Sequence, residues 1–189
     1  MRAREDEIDA LPSDWVVRWA TRVRPGGLVL DLAAGDGRHT KHFLGLGHLV
    51  VAADREPARL EAAFGGNPAC RVVRIDLEAT DLDKGAWALG EGYDGIVVAN
   101  YLHRPLLPIL AAALAPGGAL IYETSMQGNE RFGRPSNPDF LLRPNELLDV
   151  YAKRLTVVDF EQGLYTVPRR AMRQRLVATK GRSDAEGRV

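Results

Sequence analysis

The stretch that decides the fold of this 189-residue chain is Val29-Leu-Asp-Leu-Ala-Ala-Gly-Asp-Gly-Arg-His39. An aliphatic run ends at Asp31 and passes through a turn of small residues into a helical segment. Small or absent side chains at Ala33, Gly35 and Gly37 let a ligand approach the backbone closely, and the helix that follows presents amides with no intrahelical partner. The stretch therefore predicts a strand–turn–helix unit that binds a ligand at the carboxyl end of the strand.

Short apolar runs alternate with helical segments beyond this unit. Aliphatic runs bounded by turn residues are typical of strands that are buried on both faces. The predicted strands cover residues 28–32, 49–53, 71–75, 95–99 and 119–122. The predicted helices between them cover residues 40–46, 57–64, 83–89 and 105–115. This alternation predicts an α/β fold with a doubly wound, mostly parallel sheet.

The two ends of the chain depart from this rhythm. An apolar pattern of helical spacing over 15–23 follows helix-start residues and predicts an N-terminal helix. Near the C-terminus, a helix is predicted over 144–152, followed by strands over 155–160 and 172–179 with no helix between them. A helix-free connection of that length favours an antiparallel strand pair at the C-terminus.

Composition predicts one cytoplasmic domain spanning residues 1–189, with flexible ends at 1–10 and 181–189. The 25 basic residues balance the 25 acidic ones, so the net charge gives no reason to expect a nucleic-acid partner. A single cysteine, Cys70, excludes an internal disulfide. No Cys/His cluster has the spacing of a zinc site, so no metal is expected, and His39 and His42 are interpreted as surface residues. No apolar run is long enough to predict a membrane span.

Two acidic residues follow the second and third predicted strands. Asp54 comes directly after one strand and Asp76 after the next. In an open α/β sheet a carboxylate at the end of the second strand is placed to accept both hydroxyls of a ribose. Asp76 is placed to read an adenine edge. Each residue alone is also a plausible helix cap or loop residue, and their joint placement favours a nucleoside-containing ligand.

These residues resemble those of class I S-adenosylmethionine-dependent methyltransferases. The first motif of that family is an acid followed by three glycines at alternate positions, and here it reads Asp31, Ala33, Gly35 and Gly37. Ala33 replaces the first glycine, which narrows the space beside the methionine portion of the cofactor. The resemblance covers about residues 28–180, and within the family the chain is most similar to the small-molecule branch of tellurite-resistance methyltransferases.

The resemblance implies a Rossmann-like, seven-stranded sheet with an antiparallel C-terminal strand, and S-adenosylmethionine as the cofactor. It places the motif loop under the methionine portion, Asp54 and Arg55 at the ribose, and Asp76 and Leu77 at the adenine. It also places Asn100, after the fourth strand, near the methionine amino group. The implied activity is methyl transfer to a small-molecule acceptor by proximity and in-line alignment.

The sequence indicates less clearly which residues contact the methyl acceptor. The segment 100–105 follows the fourth strand, so His103 is a candidate general base or, equally, a helix-start residue that shapes the pocket. Tyr101 and Arg104 are candidate substrate contacts. The long polar stretch 123–143 contributes two more, Met126 and Phe132, and it fits either a lid over the acceptor or a solvated loop.

Three rival functions remain at this stage. A dinucleotide-binding fingerprint would need a small residue at position 38, where the chain has Arg38, so NAD binding is disfavoured. An RNA or protein methyltransferase would predict a basic face or an added recognition domain. A non-catalytic module that only binds S-adenosylmethionine would keep the same loop and acids. The sequence does not predict an oligomeric state.

Overall fold

A seven-stranded sheet forms the centre of the molecule. The structure is a computed structural model that describes residues 11–79 and 87–181. The strands are β1 (Leu28–Leu32), β2 (Leu49–Asp54), β3 (Cys70–Arg74), β4 (Tyr93–Ala99), β5 (Leu114–Ser125), β6 (Thr156–Tyr165) and β7 (Ala171–Thr179). Their order across the sheet is β3-β2-β1-β4-β5-β7-β6. The chain order therefore reverses between β1 and β4, which is where ligands bind in open α/β sheets.

Strand direction follows the predicted division of the chain. β1 to β5 pair in parallel, whereas β7 pairs antiparallel with both β5 and β6. The carboxyl ends of the five parallel strands thus meet at one edge of the sheet. The doubly wound, mostly parallel α/β sheet with an antiparallel C-terminal strand is confirmed.

Helices cover both faces of the sheet. They are α1 (Asp14–Trp19), α2 (Arg38–Gly45), α3 (Ala58–Phe64), α4 (Leu106–Ala113) and α5 (Glu146–Tyr151). On one face, Trp15 of α1 and Phe43 of α2 pack in one buried cluster with Val97 and Ile121 of the central strands. On the other face, the leucines of α4 and α5 form the largest cluster with the opposite side chains of the same strands. The strands are apolar on both sides because both sides are covered.

The sequence misplaced several boundaries. The helix predicted over 105–115 ends at Ala113, because β5 already begins at Leu114, which pairs with Tyr93 of β4 ahead of a bulge. The N-terminal helix ends at Trp19 and continues as a 3-10 turn over Ala20–Arg22. The predicted helix 83–89 and the predicted flexible ends fall mainly on residues outside the described ranges. Across 11–79 and 87–181, no helix combines the length and apolar character that a membrane crossing needs.

Candidate functional site

The turn between β1 and α2 contains three residues in left-handed backbone. The φ angles of Ala33, Gly35 and Gly37 are 54°, 56° and 81°. A Cβ added to Gly35 would meet no atom within 4 Å, whereas one added to Gly37 would lie 2.5 Å from the ring of Phe64. The first glycine therefore leaves space open at the sheet edge, and the second lets α3 pack against the turn.

Asp31 lies beneath this turn. Its side chain is 1% exposed and accepts a 2.6 Å hydrogen bond from the hydroxyl of Thr40 in α2. Burial raises the pKa of Asp31 to about 6, and the bond from Thr40 opposes that shift. The sequence allows Asp31 either a place in the cofactor site, which it favours, or a role in bracing the loop; in the structure Asp31 does not line the pocket at the ends of β1 to β3. It instead joins the first turn of α2 to the end of β1.

A pocket of about 670 Å³ opens at the carboxyl ends of β1, β2 and β3. It gathers seven residues that the sequence singled out: Ala33, Gly35, Asp54, Arg55, Asp76, Leu77 and Tyr101. Seven others do not line it: Asp31, Gly37, Asn100, His103, Arg104, Met126 and Phe132. Residues predicted at the glycine turn, the ribose and the adenine thus share one cavity with Tyr101, which was predicted to contact the substrate, whereas the other residues predicted on the acceptor side do not line it.

Asp54 links two walls of this pocket. One carboxylate oxygen accepts a 2.8 Å bond from the amide of Gly35, and the other accepts a 2.9 Å bond from the amide of Glu56. Each oxygen keeps a second lone pair for another donor. The carboxylate is therefore held in a fixed orientation with accepting capacity left.

Asp76 occupies the turn that follows β3. Its Oδ1 accepts bonds from the amides of Glu78 and Ala79 at 3.0 and 3.2 Å. Leu77, between them, is 5% exposed and adds an apolar surface. Tyr101 lines the same cavity, and burial, together with the carboxylates of Glu78 and Asp76, raises the pKa of its phenol.

The end of β4 is occupied by an asparagine in left-handed backbone. Asn100 has a φ of 57°, a conformation that this residue type tolerates. Its Oδ1 accepts a 2.8 Å bond from Arg173 of β7, and its amide donates to the carbonyl of Glu123 at 2.9 Å. Behind it, Glu123 and Arg175 form a buried ion pair at 3.2 Å. Charged side chains of β5 and β7 therefore border the strand end that was predicted to lie near the methionine amino group.

The predicted contacts of the acceptor have other surroundings in the structure. Met126 is 5% exposed within the main core, where it packs rather than faces a ligand. The guanidinium groups of Arg131 and Arg170 lie 5.8 and 5.1 Å from the centre of the Phe132 ring. His103 is half-buried in the turn before α4, and its imidazole has no hydrogen-bond partner in the described part of the chain.

Arg104 was predicted to contact substrate, but its donors are already used within the protein. It donates to both carboxylate oxygens of Glu146, at 2.7 and 3.1 Å. It also donates to the carbonyls of Asp139 and Leu141, at 2.7 and 2.9 Å. Four of its five N–H groups are thus satisfied. The sequence shows no sign of this role because the partners lie more than 30 residues away.

The long segment after β5 is a loop that is closed at its base by two backbone hydrogen bonds, and most of its residues between 130 and 140 are exposed. The amide of Leu142 donates to the carbonyl of Ser125 at 3.0 Å, and the amide of Gln127 donates to the carbonyl of Leu142 at 2.9 Å. Phe140 in this loop is 43% exposed and lines the pocket. Phe140 is not among the site residues predicted from the sequence, although an aromatic residue in a long polar loop is a usable signal.

The interpretation of His39 as a surface residue is wrong. Its side chain is 3% exposed, and its Nε2 accepts a 3.3 Å bond from the amide of Ser13, just before α1. Burial lowers its pKa to about 3, so the ring is neutral. Within residues 11–79 and 87–181, no cluster of three or more potential ligands forms a metal site.

No family model matches this chain, and no curated protein matches it. Solved structures do match it. TehB from Haemophilus influenzae is 20% identical with a TM-score of 0.72, over 89% of this chain and 62% of that protein. The chain thus spans less than two thirds of that protein's length. A TehB-like SAM-dependent methyltransferase from Corynebacterium glutamicum is 20% identical with a TM-score of 0.61, over 88% and 86% of the two chains.

A third similar structure contains ligands. It is 1,6-didemethyltoxoflavin-N1-methyltransferase from Burkholderia thailandensis, solved with 1,6-didemethyltoxoflavin and S-adenosylhomocysteine. It is 22% identical with a TM-score of 0.66, over 93% of this chain and 80% of that one. At these identities the likeness shows a shared fold. The chain has the seven-stranded fold of the class I methyltransferases.

Proposed function

We propose that this chain binds S-adenosylmethionine in the pocket at the ends of β1 to β3 and transfers its methyl group to a small-molecule acceptor. The observation that carries the proposal is the joint placement of Asp54, Asp76 and the open side of Gly35 around one cavity. In a class I methyltransferase fold this edge of the sheet, where the strand order reverses, is the expected cofactor site.

The cavity fits such a cofactor in size and chemistry. Its volume of about 670 Å³ lies within the range of small-molecule pockets. The oriented carboxylate of Asp54 offers acceptors for two ribose hydroxyls, and the apolar surfaces of Leu77 and Tyr101 suit a purine ring. The absence of a side chain at Gly35 leaves room beside the turn for an extended amino-acid portion.

The residues predicted for the cofactor site have separate proposed roles. Asp54 and Arg55 hold the ribose, Asp76 and Leu77 the adenine, and Ala33 and Gly35 the methionine portion. Asn100 and Arg173 border the amino-acid end. Gly37 and Asp31 act indirectly, because one allows α3 to pack against the turn and the other holds α2 in place.

The chemistry of transfer belongs largely to the cofactor, which supplies a methyl group activated by a sulfonium. The chain's task is to align the acceptor with that methyl group and to exclude water. His103 is the proposed proton acceptor for substrates that must lose a proton, since its imidazole carries no other hydrogen bond among the described residues. A thiolate or another ionised acceptor needs no base.

A small molecule is the favoured class of acceptor. The net charge of zero offers no electrostatic attraction for RNA. The similar structure from Burkholderia thailandensis is named for the methylation of a small heterocycle. RNA and protein acceptors are therefore the alternatives that an activity screen has to test.

Calorimetric titration with S-adenosylmethionine and S-adenosylhomocysteine tests cofactor binding. We expect the wild type to bind both, and Asp54→Ala to bind about 1 to 3 kcal/mol more weakly, because a hydrogen-bonded polar group loses its partner. Asp149→Asn, at an exposed carboxylate of α5, is the matched control and retains full affinity. Absence of binding by the wild type would refute the proposal.

Acceptor identity is tested by release of S-adenosylhomocysteine in a screen of thiols, oxyanions, amines and phenols. Turnover with one of these classes supports the small-molecule proposal. Turnover only with RNA or protein would replace it. Cofactor binding without turnover on any acceptor class would indicate a non-catalytic binding module.

A further inference from the structure

Phe140 forms part of the pocket although it is remote in sequence from the rest of the lining. The strand ends supply Asp54, Asp76 and Leu77, and the turn after β4 supplies Tyr101. Phe140 comes instead from the loop after β5, within the 3-10 turn Pro138–Phe140. This large apolar ring is still 43% exposed, so apolar area remains for a ligand to bury.

The backbone on both sides of Phe140 is held by a single side chain. Arg104 donates one bond to the carbonyl of Asp139, the residue before Phe140, and another to the carbonyl of Leu141, the residue after it. These bonds measure 2.7 and 2.9 Å. Because the two carbonyls enclose Phe140 and Leu141, these bonds restrain the backbone from which the ring of Phe140 projects.

Glu146 in turn holds Arg104. The carboxylate is 4% exposed and accepts two bonds from the guanidinium in the parallel, two-point geometry that restricts an arginine most strongly. Burial on its own would raise the pKa of Glu146, but the bonds from Arg104 and Arg143 outweigh burial and hold that pKa below its usual value. The carboxylate is therefore ionised at neutral pH, and the pair persists there.

We propose that Arg104 and Glu146 are positioning residues that hold Phe140 as the outer wall of the adenosine pocket, where its ring covers the purine. The proposal rests on the proposed function, since it assigns the cavity to an adenosine-containing ligand. It replaces the predicted role of Arg104 as a substrate contact. It also gives the loop after β5 a function in binding the cofactor.

Affinity for two ligands tests the wall itself. S-adenosylhomocysteine and 5′-methylthioadenosine share the adenosine, and only the first carries the amino-acid portion. We expect Phe140→Ala to lower the affinity for both ligands about tenfold, which is the scale of a lost contact between an aromatic ring and a base. Phe140→Tyr keeps the ring and is expected to bind both ligands with wild-type affinity. Because the side chain is 43% exposed, both variants are expected to fold, and unchanged melting temperatures without ligand check this.

A double-variant cycle tests the positioning role of Arg104. We expect Arg104→Met to weaken both ligands about as much as Phe140→Ala does, and the double variant to bind no more weakly than either single one. Arg143→Met is the matched control, because Arg143 also contacts Glu146 but donates to neither carbonyl beside Phe140. That control retains wild-type affinity.

The possible outcomes separate this inference from the proposed function. If the wild type binds neither ligand, the proposed function fails and this inference fails with it. If the wild type binds both and Phe140→Ala binds them equally well, only the outer wall is refuted. Additive losses in the double variant refute the positioning role, because Arg104 then acts independently of Phe140. Should Arg104→Met fail to fold, equal affinity of Phe140→Ala and the wild type still refutes the inference.

Discussion

At the scale of single residues, two glycines of one motif do different work. Gly35 leaves open space on the ligand side of the turn, whereas Gly37 is pressed against Phe64 and Leu60 of α3. The sequence presents both as small residues at alternate positions, and it predicted one role for both. Only the packing of α3 separates them, because the neighbours of Gly37 lie more than 20 residues further along the chain.

Alanine substitutions distinguish the two roles. Both positions have positive φ, so each added Cβ costs about 1 to 2 kcal/mol of backbone strain. At Gly37 the Cβ also overlaps α3, so we expect Gly37→Ala to lower the free energy of unfolding by roughly 2 to 5 kcal/mol in total. Gly35→Ala should lose only the stability that the backbone strain costs, but it should bind S-adenosylhomocysteine more weakly. Urea unfolding and calorimetry on both variants make the comparison, and equal stability losses would contradict it.

At the scale of elements, two buried titratable groups hold the helices of one face together. Ser13, at the start of α1, donates its amide to His39 of α2, and Thr40 of α2 donates to Asp31 of β1. Burial lowers the pKa of His39 and raises that of Asp31. The pKa of His39 falls to about 3, and that of Asp31 rises to about 6.

Because the two pKa shifts have opposite directions, the contributions of His39 and Asp31 to stability change in opposite ways as the pH falls. The unfolded chain protonates His39 near pH 6.5, while the folded protein keeps it neutral, so the contribution of His39 is complete above pH 6.5 and is lost as the pH falls toward 3. Asp31 contributes fully below its unfolded pKa of 3.8, and its contribution is lost as the pH rises through about 6. Between pH 7 and 5 the histidine therefore destabilises the fold while the aspartate partly compensates.

His39→Gln isolates the histidine, because glutamine keeps an acceptor for the Ser13 amide and does not titrate. From pH 7 to pH 5 we expect the wild type to lose about 2 kcal/mol more stability than this variant, as a base that stays neutral well below its normal pKa requires. Asp31→Asn is the opposite case and should lose more stability than the wild type on acidification. Urea unfolding at the two pH values measures both differences. An identical pH dependence in the wild type and His39→Gln would show that the ring is not held neutral.

At the scale of the whole molecule, the pocket exists only when several elements assemble. Its lining comes from the turn after β1, the ends of β2 and β3, the turn after β4 and the loop after β5. A ligand that binds there binds the folded state alone. Its binding free energy is therefore added to the stability of the entire domain.

Thermal denaturation measures this coupling and tests the alternative hypothesis that the pocket binds NAD. S-adenosylhomocysteine at 100 times its dissociation constant should stabilise the protein by about 2.7 kcal/mol, which raises Tm by roughly 5 to 10 °C for a domain of this size. NAD at the same concentration should leave Tm unchanged. A larger shift with NAD than with S-adenosylhomocysteine would overturn the assignment of the pocket.

Much of the fold was predictable because its signals are local. The strands that are buried on both faces are continuous aliphatic runs, and the helix-free stretch before β7 indicates an antiparallel pair. The start of β5 was missed because Leu114-Ala-Pro-Gly-Gly118 has the composition of a turn, yet Leu114 pairs with Tyr93 of the neighbouring strand. Pairing between strands depends on partners that no short window of sequence contains.

The sequence by itself determined the parallel α/β core, the glycine turn and the acids that follow β2 and β3, since these depend on periodicity and on position relative to a strand end. Only the tertiary structure decided the surroundings of the other residues. It placed Asp31 beneath the turn and Gly37 against α3, joined Arg104 to Glu146, and brought Phe140 to the pocket. The physical reason is that a side chain's role depends on the groups that fill its volume and satisfy its hydrogen bonds. For these residues those groups come from other elements of the fold.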